Sequence, residues 1–269
     1  MTSACDPADN PIYGNPWAYE LACAFRDVPA EVEALLRWYR RSCGGGPPAS
    51  VLELAAGPAE HARQFARRGI AATALDLSPA MCAHAERRAK DEGVALQVVC
   101  ADMTRFALGR RFDLVVTMLD STAHLMSLDA FVAHLDRVAA HLNPAGRYIL
   151  EMSHPADRLT DEPSTGTAWT VQRDGVRAEV RWGEPGDRLD PITQIARERV
   201  TIAVTHPDGR TETIRGVVPY RFWTATELQA AVRLSGALQI DAQYGDFTGI
   251  GPRDPEAWRL ITVFRPAER

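Results

Sequence analysis

Between Ser50 and about Met152 the chain alternates short apolar runs with amphipathic stretches, and this rhythm constrains the fold more than any other feature. Val51–Ala55, Ala71–Leu77, Val94–Cys100, Phe112–Met118 and Arg147–Met152 read as strands. His61–Arg68 and Leu128–Leu142 read as helices. Ser78-Pro79 opens another, with serine as N-cap and proline at the first helical position. Strand and helix in regular alternation predict an α/β fold, a mostly parallel sheet covered by helices on both faces. Ligands of such sheets bind at the carboxyl ends of the strands, near the point where strand order reverses.

The flanking segments differ in character. Residues 1–30 mix Pro, Asn and Gly with Tyr13, Trp17, Tyr19 and Phe25, aromatics that suggest an arm docked on the body. A helix begins near Pro29 and carries Val32, Leu35, Leu36 and Tyr39 on one face; Gly44-Gly45-Gly46-Pro47-Pro48 then breaks the chain. Within 165–220 four β-rich stretches, Ala168–Arg173, Arg177–Trp182, Gln194–Thr205 and Thr211–Tyr220, predict an antiparallel insertion. A helix over Thr226–Leu234 and two strands, Leu238–Tyr244 and Arg259–Phe264, close the chain. The expected organisation is an N-terminal lid and helix (1–48), a cofactor-binding core (49–152), a β-rich insertion contributing to a substrate pocket (153–223), and a closing helix with strands (224–269).

Composition narrows the partners. With 269 residues, 46% hydrophobic and 24% charged, the chain suits one domain with insertions. The formal net charge is −5 with no long basic block, which gives no electrostatic reason to expect nucleic acid. No apolar stretch approaches the ~20 residues of a membrane span, and the first residues lack the form of a signal peptide. The expectation is a cytoplasmic protein without membrane or nucleic-acid partners, acting on a small molecule, its oligomeric state open. Cys5, Cys23, Cys43, Cys82 and Cys100 form no CxxC pair and read as small buried or half-buried thiols.

Four strand ends carry chemistry. After the first, Ala55, Ala56, Gly57 and Ala59 crowd a turn with small residues, as close backbone approach to a nucleoside requires. The second ends in Asp76, a carboxylate placed to accept two ribose hydroxyls. Past the third, Asp102 offers an acceptor for an adenine amino group and Met103 an apolar neighbour for its face. The fourth delivers Leu119–His124 to the same edge.

These segments, in this order, resemble a class I S-adenosylmethionine-dependent methyltransferase of the small-molecule type. The resemblance covers residues 50–152 and extends over 224–265. It implies a Rossmann-like methyltransferase sheet, mostly parallel with an antiparallel last strand, and an antiparallel β insertion. It also implies S-adenosyl-L-methionine as cofactor, S-adenosyl-L-homocysteine as product, and no metal. On this likeness Glu53 orients the methionine amino end of the cofactor, and Asp76 holds the ribose. Leu77 and Met81 neighbour the adenine, Asp102-Met103 is the adenine-binding pair, and Leu119-Asp120 begins the loop facing cofactor and substrate. Ala55, Gly57 and Ala59 stand where the family has three glycines. Alanine fits such a turn when φ stays negative, but it narrows the space. Tyr13, Trp17 and Tyr19 correspond to an aromatic lid, whose faces attract the cationic sulfonium or anchor the segment.

Methyl transfer from a sulfonium is an in-line displacement, in which alignment alone is worth roughly 7–11 kcal/mol. A base that removes a proton from the acceptor adds about 10²–10⁴-fold. His124 is the leading candidate, against a packing role; Glu151 and His154, ending the fifth strand, are further catalytic candidates, against structural hydrogen bonds. Tyr13, Trp17, Asp120, Arg221 and Trp223 are candidate substrate contacts and Tyr19 a cofactor contact; Arg221, Phe222 and Trp223 either line a pocket or pack on the sheet. The acceptor atom is nitrogen, oxygen or activated carbon, in a molecule of medium size that suits secondary metabolism. Two other readings stay open: an idle cofactor-binding scaffold, and a nicotinamide-dependent oxidoreductase. The second would want glycines where Ala59 and Ala62 stand. The tetrapeptide Leu119-Asp120-Ser121-Thr122 is unlike the N-P-P-Y of amino-methylating nucleic-acid and glutamine enzymes.

Overall fold

The computed structural model describes residues 10–159 and 166–268. Cys5 and the first nine residues of the expected lid lie outside the described residues. The helices are α1 (Pro16–Ala22), α2 (Val28–Cys43), α3 (Glu60–Arg67), α4 (Pro79–Asp91), α5 (Leu128–Ala140) and α6 (Ala225–Ser235). The core strands are β1 (Ser50–Leu54), β2 (Ala71–Asp76), β3 (Leu96–Cys100), β4 (Phe112–Thr117) and β5 (Leu142–Ser153). The insertion holds β6 (Thr167–Arg173), β7 (Val176–Trp182), β8 (Ile195–Thr205) and β9 (Thr211–Arg221), before the closing β10 (Leu238–Tyr244) and β11 (Arg259–Pro266).

Seven strands form one sheet in the order β10-β11-β5-β4-β1-β2-β3. β1 pairs in parallel with β2 and β4, while β11 runs antiparallel to both β5 and β10. The expected mostly parallel sheet with an antiparallel last strand is what forms. Strand order reverses between β1 and β4, so their carboxyl ends open the crevice where ligands bind. Successive residues point to opposite faces. Val51 packs with Leu35 and Phe65 on one side, and its neighbour Leu52 with Phe131 and Leu135 on the other. A strand buried on both faces must be apolar throughout, which is why these strands read as continuous runs. Local chemistry sets the helix starts. Ser78 Oγ accepts the Met81 N–H, Asp27 caps α2, and Thr224 with Glu227 forms a capping box on α6.

Residues 101–111, between β3 and β4, form a loop, because its polar turn residues carry no apolar stripe. β5 begins at Leu142 rather than at the expected Arg147, with a break in register opposite Phe112 and Leu114 on β4. The N-terminal arm contains a helix, α1, and docks mainly through Ile12, Ala18, Leu21 and Ala22. Trp17 and Phe25 are exposed. This segment packs against the inner face of the sheet β6-β7-β8-β9, where it meets Val180, Val200 and Ile202.

Buried charge ties the layers together. Arg26, just after α1, donates to both carboxylate oxygens of Glu31 on α2 and of Glu151 on β5. Glu151 also accepts the Leu119 N–H at 2.8 Å, and Arg259 Nε approaches it to 2.9 Å. Burial opposes its ionisation, but Arg26 and Arg259 outweigh that and hold the carboxyl near about 2. Glu20 on α1 is bonded by His84, Arg63 and Arg88, which likewise overcome burial and hold it near about 2. His61 lies between Glu31 and Glu53; burial lowers its pKa, but hydrogen bonds to the two carboxylates carry it to about 9.

Removing one partner of a buried pair leaves an unpaired charge, so Glu151→Ala should cost about 3–5 kcal/mol in denaturant unfolding. Depressed carboxyl pKa values stabilise the fold above the unfolded value and lose that contribution as pH falls through the folded one. Stability should therefore decline from about pH 4.5 toward 2, through Glu151 and Glu20. The raised His61 pKa acts oppositely: its contribution is complete below about 6.5 and disappears as pH rises through 9. A pH series of melting curves on wild type and His61→Gln checks the second limb.

Candidate functional site

Three adjoining cavities open at the carboxyl ends of the core strands. The first, about 320 Å³, lies beyond β1, β2 and β3, bordered by Gly57, Asp76, Met81, Asp102 and Met103. The second, about 610 Å³, lies between the β4 loop, the N-terminal segment and the insertion. A small third space of about 40 Å³ reaches inward beside Glu53 and His61. Tyr19 and Ser121 border all three, and Tyr13 and His124 stand between the first two.

The first cavity gathers most of the expected cofactor residues. Asp76 Oδ2 accepts the Gly57 N–H at 2.7 Å and Oδ1 the Ser78 N–H at 2.8 Å, which fixes the carboxylate across two turns. Burial pushes its pKa up, against these two bonds. Each oxygen keeps lone-pair capacity for a hydroxyl hydrogen. Leu77, Met81 and Met103 give apolar walls, with Leu77 at the exposed edge. Asp102 holds its own loop: it accepts from Thr104 N–H and hydroxyl at 2.7 Å and from Arg105. Burial opposes its ionisation, yet these bonds leave the carboxyl below the usual range. Glu53 accepts the Ala62 N–H at 2.7 Å, pinning α3 to β1.

The alanine-rich turn differs from its expected geometry. Ala55 and Ala59 adopt φ of 50° and 58°, left-handed values rather than the negative φ at which alanine is comfortable. Beyond β4, Leu119 and Asp120 repeat this at 56° and 55°. Each such residue costs roughly 1–2 kcal/mol, and strain of this kind clusters where loops are held for a ligand. Carboxylates hold both turns: Asp76 takes the Gly57 N–H, and Glu151 takes the Leu119 N–H. The room survives the alanines. A Cβ built on Gly57 would only touch Tyr19 and Met81, at 3.7 and 4.0 Å. A cavity with paired acceptors for a ribose, apolar walls for a base and an inner acidic recess fits S-adenosylmethionine.

The β4 loop carries the candidate chemistry. His124 ends a single 3-10 turn, Ser121–His124, and its Nε2 lies 3.0 Å from the Tyr13 hydroxyl. Protein crowds the ring except toward the cavities, which pushes the imidazole below its ordinary pKa, against a hydrogen bond to the Pro219 carbonyl. Asp120 borders the second cavity. Its Oδ2 accepts from Ser153 and Tyr220 hydroxyls at 2.6 and 3.0 Å, and burial raises its pKa to about 6.

Five expected residues reach none of these cavities. Glu151 is fully buried and spent on Arg26, Arg259 and Leu119, so it has no acceptor atom to offer. His154 caps the turn after β5 through Ala156 N–H and meets the Pro252 carbonyl. Trp17 faces outward, 5.9 Å from the His206 ring. Arg221 donates to the Met126 carbonyl and stacks 3.9 Å over Trp223, whose Nε1 donates to the Thr122 carbonyl. This pair braces the His124 turn from behind, the packing alternative for that stretch.

Some lining residues were not expected. Glu198 is the clearest, since a legible signal marks it. Along β8, Ala196, Val200, Ile202 and Val204 alternate inward, and Glu198 occupies that same face, where an unpaired carboxylate is not expected. Trp169 and Trp182, on the paired strands β6 and β7, border the second cavity too. Ser153 and Tyr220 carried no signal; only the fold brings them to Asp120.

Residues 51–146 match the family described as a methyltransferase domain. The sheet order and the strand-end residues agree with a methyltransferase domain over those residues. In fold the whole chain is similar to an S-adenosylmethionine-dependent methyltransferase from Clostridium acetobutylicum, with TM-score 0.76 and 17% identity, over 94% of this chain and 99% of the other. It is also similar to DesVI of Streptomyces venezuelae, with TM-score 0.73 and 24% identity, over 98% and 100%. In sequence it is 35% identical, over 127 residues, to the Streptomyces fradiae dTDP-3-amino-3,6-dideoxy-alpha-D-glucopyranose N,N-dimethyltransferase. That match takes in 47% of this chain and 48% of the relative, so the chain spans about half the length of the curated relatives it matches.

Glycine adopts positive φ without the Cβ penalty, so Ala59→Gly should stabilise the protein by about 0.5–1 kcal/mol despite the entropy glycine adds to the unfolded chain. Denaturant melts will read this. Asp76→Asn should weaken S-adenosylhomocysteine binding about tenfold or more, roughly 1.4 kcal/mol, by calorimetry. An unchanged affinity would place the ribose elsewhere.

Proposed function

We propose that this protein transfers a methyl group from S-adenosylmethionine to the amine nitrogen of a small molecule, an amino sugar of secondary metabolism. One observation carries the reading: Tyr13, Tyr19, Ser121 and His124 separate a cofactor-sized cavity from a larger one that is acidic and aromatic. The N,N-dimethyltransferase names of the partial relatives, both acting on amino sugars, support nitrogen over oxygen. When bound, S-adenosylmethionine supplies a methyl carbon on a positively charged sulfur and departs as the neutral thioether.

The residues of this chain have three tasks. The acceptor approaches as an ammonium ion, and Asp120 and Glu198 give the second cavity carboxylates to receive it. Ammonium has no lone pair, so a proton must leave before nitrogen attacks. The Tyr13 hydroxyl takes that proton while passing its own to Nε2 of uncharged His124, to which it is hydrogen-bonded. As the nitrogen–carbon bond forms and the sulfur–carbon bond breaks, Tyr13 and Tyr19 flank the reacting centre. Their faces favour positive charge there, and the docked N-terminal segment keeps water out.

His124→Asn should lower kcat by about 10²-fold, within the range of a lost base, with cofactor affinity preserved. A loss below about threefold would mean that His124 only orients the acceptor. Asp120, with its pKa near 6, is ionised above that pH. The acceptor's KM should therefore rise as pH falls through 6, and Asp120→Asn should abolish the rise. Initial rates of S-adenosylhomocysteine release at several pH values test both.

A further inference from the structure

Asp120 stands where three parts of the chain meet. Its own turn leaves β4 with a left-handed φ of 55°. Ser153, which ends β5, brings a hydroxyl from the core sheet and donates to Oδ2 at 2.6 Å. Tyr220, just before the end of β9, brings another from the insertion and donates to the same oxygen at 3.0 Å. Both donors are neutral. A carboxylate held by hydroxyls keeps its charge toward an entering cation, whereas one paired with a guanidinium has much of that charge cancelled. Glu198 is of the second kind, since Arg158 donates to it.

Tyr220 links these two acids. Its hydroxyl meets Asp120, while Arg158, the partner of Glu198, lies over its ring, 5.4 Å from the centre. Burial and the facing Asp120 charge push its pKa far up, so the hydroxyl stays protonated and donating across the working pH range. The preceding residue, Pro219, offers its carbonyl to the His124 ring. The end of β9 thus meets both the acid that receives the amine and the imidazole that ends the proton path.

Burial raises the Asp120 pKa to about 6, and the Ser153 hydroxyl, the Arg259 charge and the Tyr220 hydroxyl oppose that rise. Other ionisable groups face the same cavity. Tyr13 and Cys23 stay uncharged because burial raises both, and His124 because burial lowers it. Asp157 and Glu198 are also raised by burial, so the titration of Asp120 has to be followed at its own carboxyl group.

We propose that Tyr220 is a positioning residue for the acceptor amine: with Ser153 it fixes and solvates the Asp120 carboxylate beside the second cavity, so that the insertion sets how tightly the amine is held. This rests on the nitrogen-methylation reading above and names a further determinant of acceptor binding at the same site. A hydrogen bond to the charged form favours it, so losing the Tyr220 hydroxyl raises the pH at which Asp120 ionises. Acceptor affinity then falls just above pH 6 and is kept where Asp120 is ionised in both proteins.

Two measurements on the full-length protein test this with Tyr220→Phe, which keeps the ring beneath Arg158. Carboxyl-carbon NMR of aspartate-labelled protein follows Asp120, identified by the signal lost in Asp120→Asn, with no acceptor present. The expected midpoint is about 6 in the wild type and about one pH unit higher in Tyr220→Phe. Rates of S-adenosylhomocysteine release are then measured with the methyl glycoside of 3-amino-3,6-dideoxyglucose and with its dTDP conjugate. KM should rise about threefold near about pH 6.5 and stay within about twofold near about pH 8, with kcat and cofactor affinity retained. In the Asp120→Asn background Tyr220→Phe should add nothing. An unmoved midpoint overturns the inference, and so does a KM increase of equal size at every pH, which lost packing alone would give. If the wild type methylates neither sugar, the amino-sugar reading fails by itself, and the carboxyl titration still decides what Tyr220 does.

Discussion

The contact between Arg26 and Glu151 is the constraint on which the rest of the site depends. One guanidinium joins three parts of the chain: the segment after α1, the start of α2, and β5 at the centre of the sheet. Through Glu151 it also reaches the Leu119 N–H, and so the turn that carries Asp120 and His124. A charge pair this deeply buried gains little as a stabiliser relative to an apolar pair. Its value is positional. Only one arrangement satisfies all its donors and acceptors, so the N-terminal segment and the β4 turn must be in register with each other.

The same logic runs through the neighbouring turns. Ala55, Ala59, Leu119 and Asp120 hold a backbone conformation that their side chains disfavour. Carboxylates on adjacent strands keep these turns in place by accepting backbone N–H groups. Strain is thus concentrated at the edge of the sheet where strand order reverses. Of the two bracing acids, Glu151 borders none of the three cavities, whereas Asp76 braces one turn and keeps lone pairs toward the first cavity. Asp120 and Glu198 border the second.

Much of this was legible beforehand because it follows from local rules. Continuous apolar runs named the buried strands, Ser78-Pro79 named a helix start, and Asp76, Asp102 and His124 stood at strand ends that a parallel sheet must bring together. The reading failed where a residue's role depends on what surrounds it. Glu151 sits two residues from the end of β5 and reads as a rim acid, but Arg26, 125 positions earlier, folds over it. Arg221 and Trp223 read as pocket wall, yet each spends its polar atoms on carbonyls behind the His124 turn. The left-handed φ of Ala55 has no local signature, since alanine alone would choose otherwise.

The amino-acid sequence by itself therefore determined the sheet, its strand ends and the character of the cofactor cavity. Periodicity of burial and the chemistry of turns act over a few residues, and both are written locally. Only the tertiary structure decided which acids border a cavity and how the insertion closes the second one. Those outcomes depend on burial and on partners far apart in the chain, and electrostatics in a poorly solvated space is set by the whole enclosure rather than by any one residue.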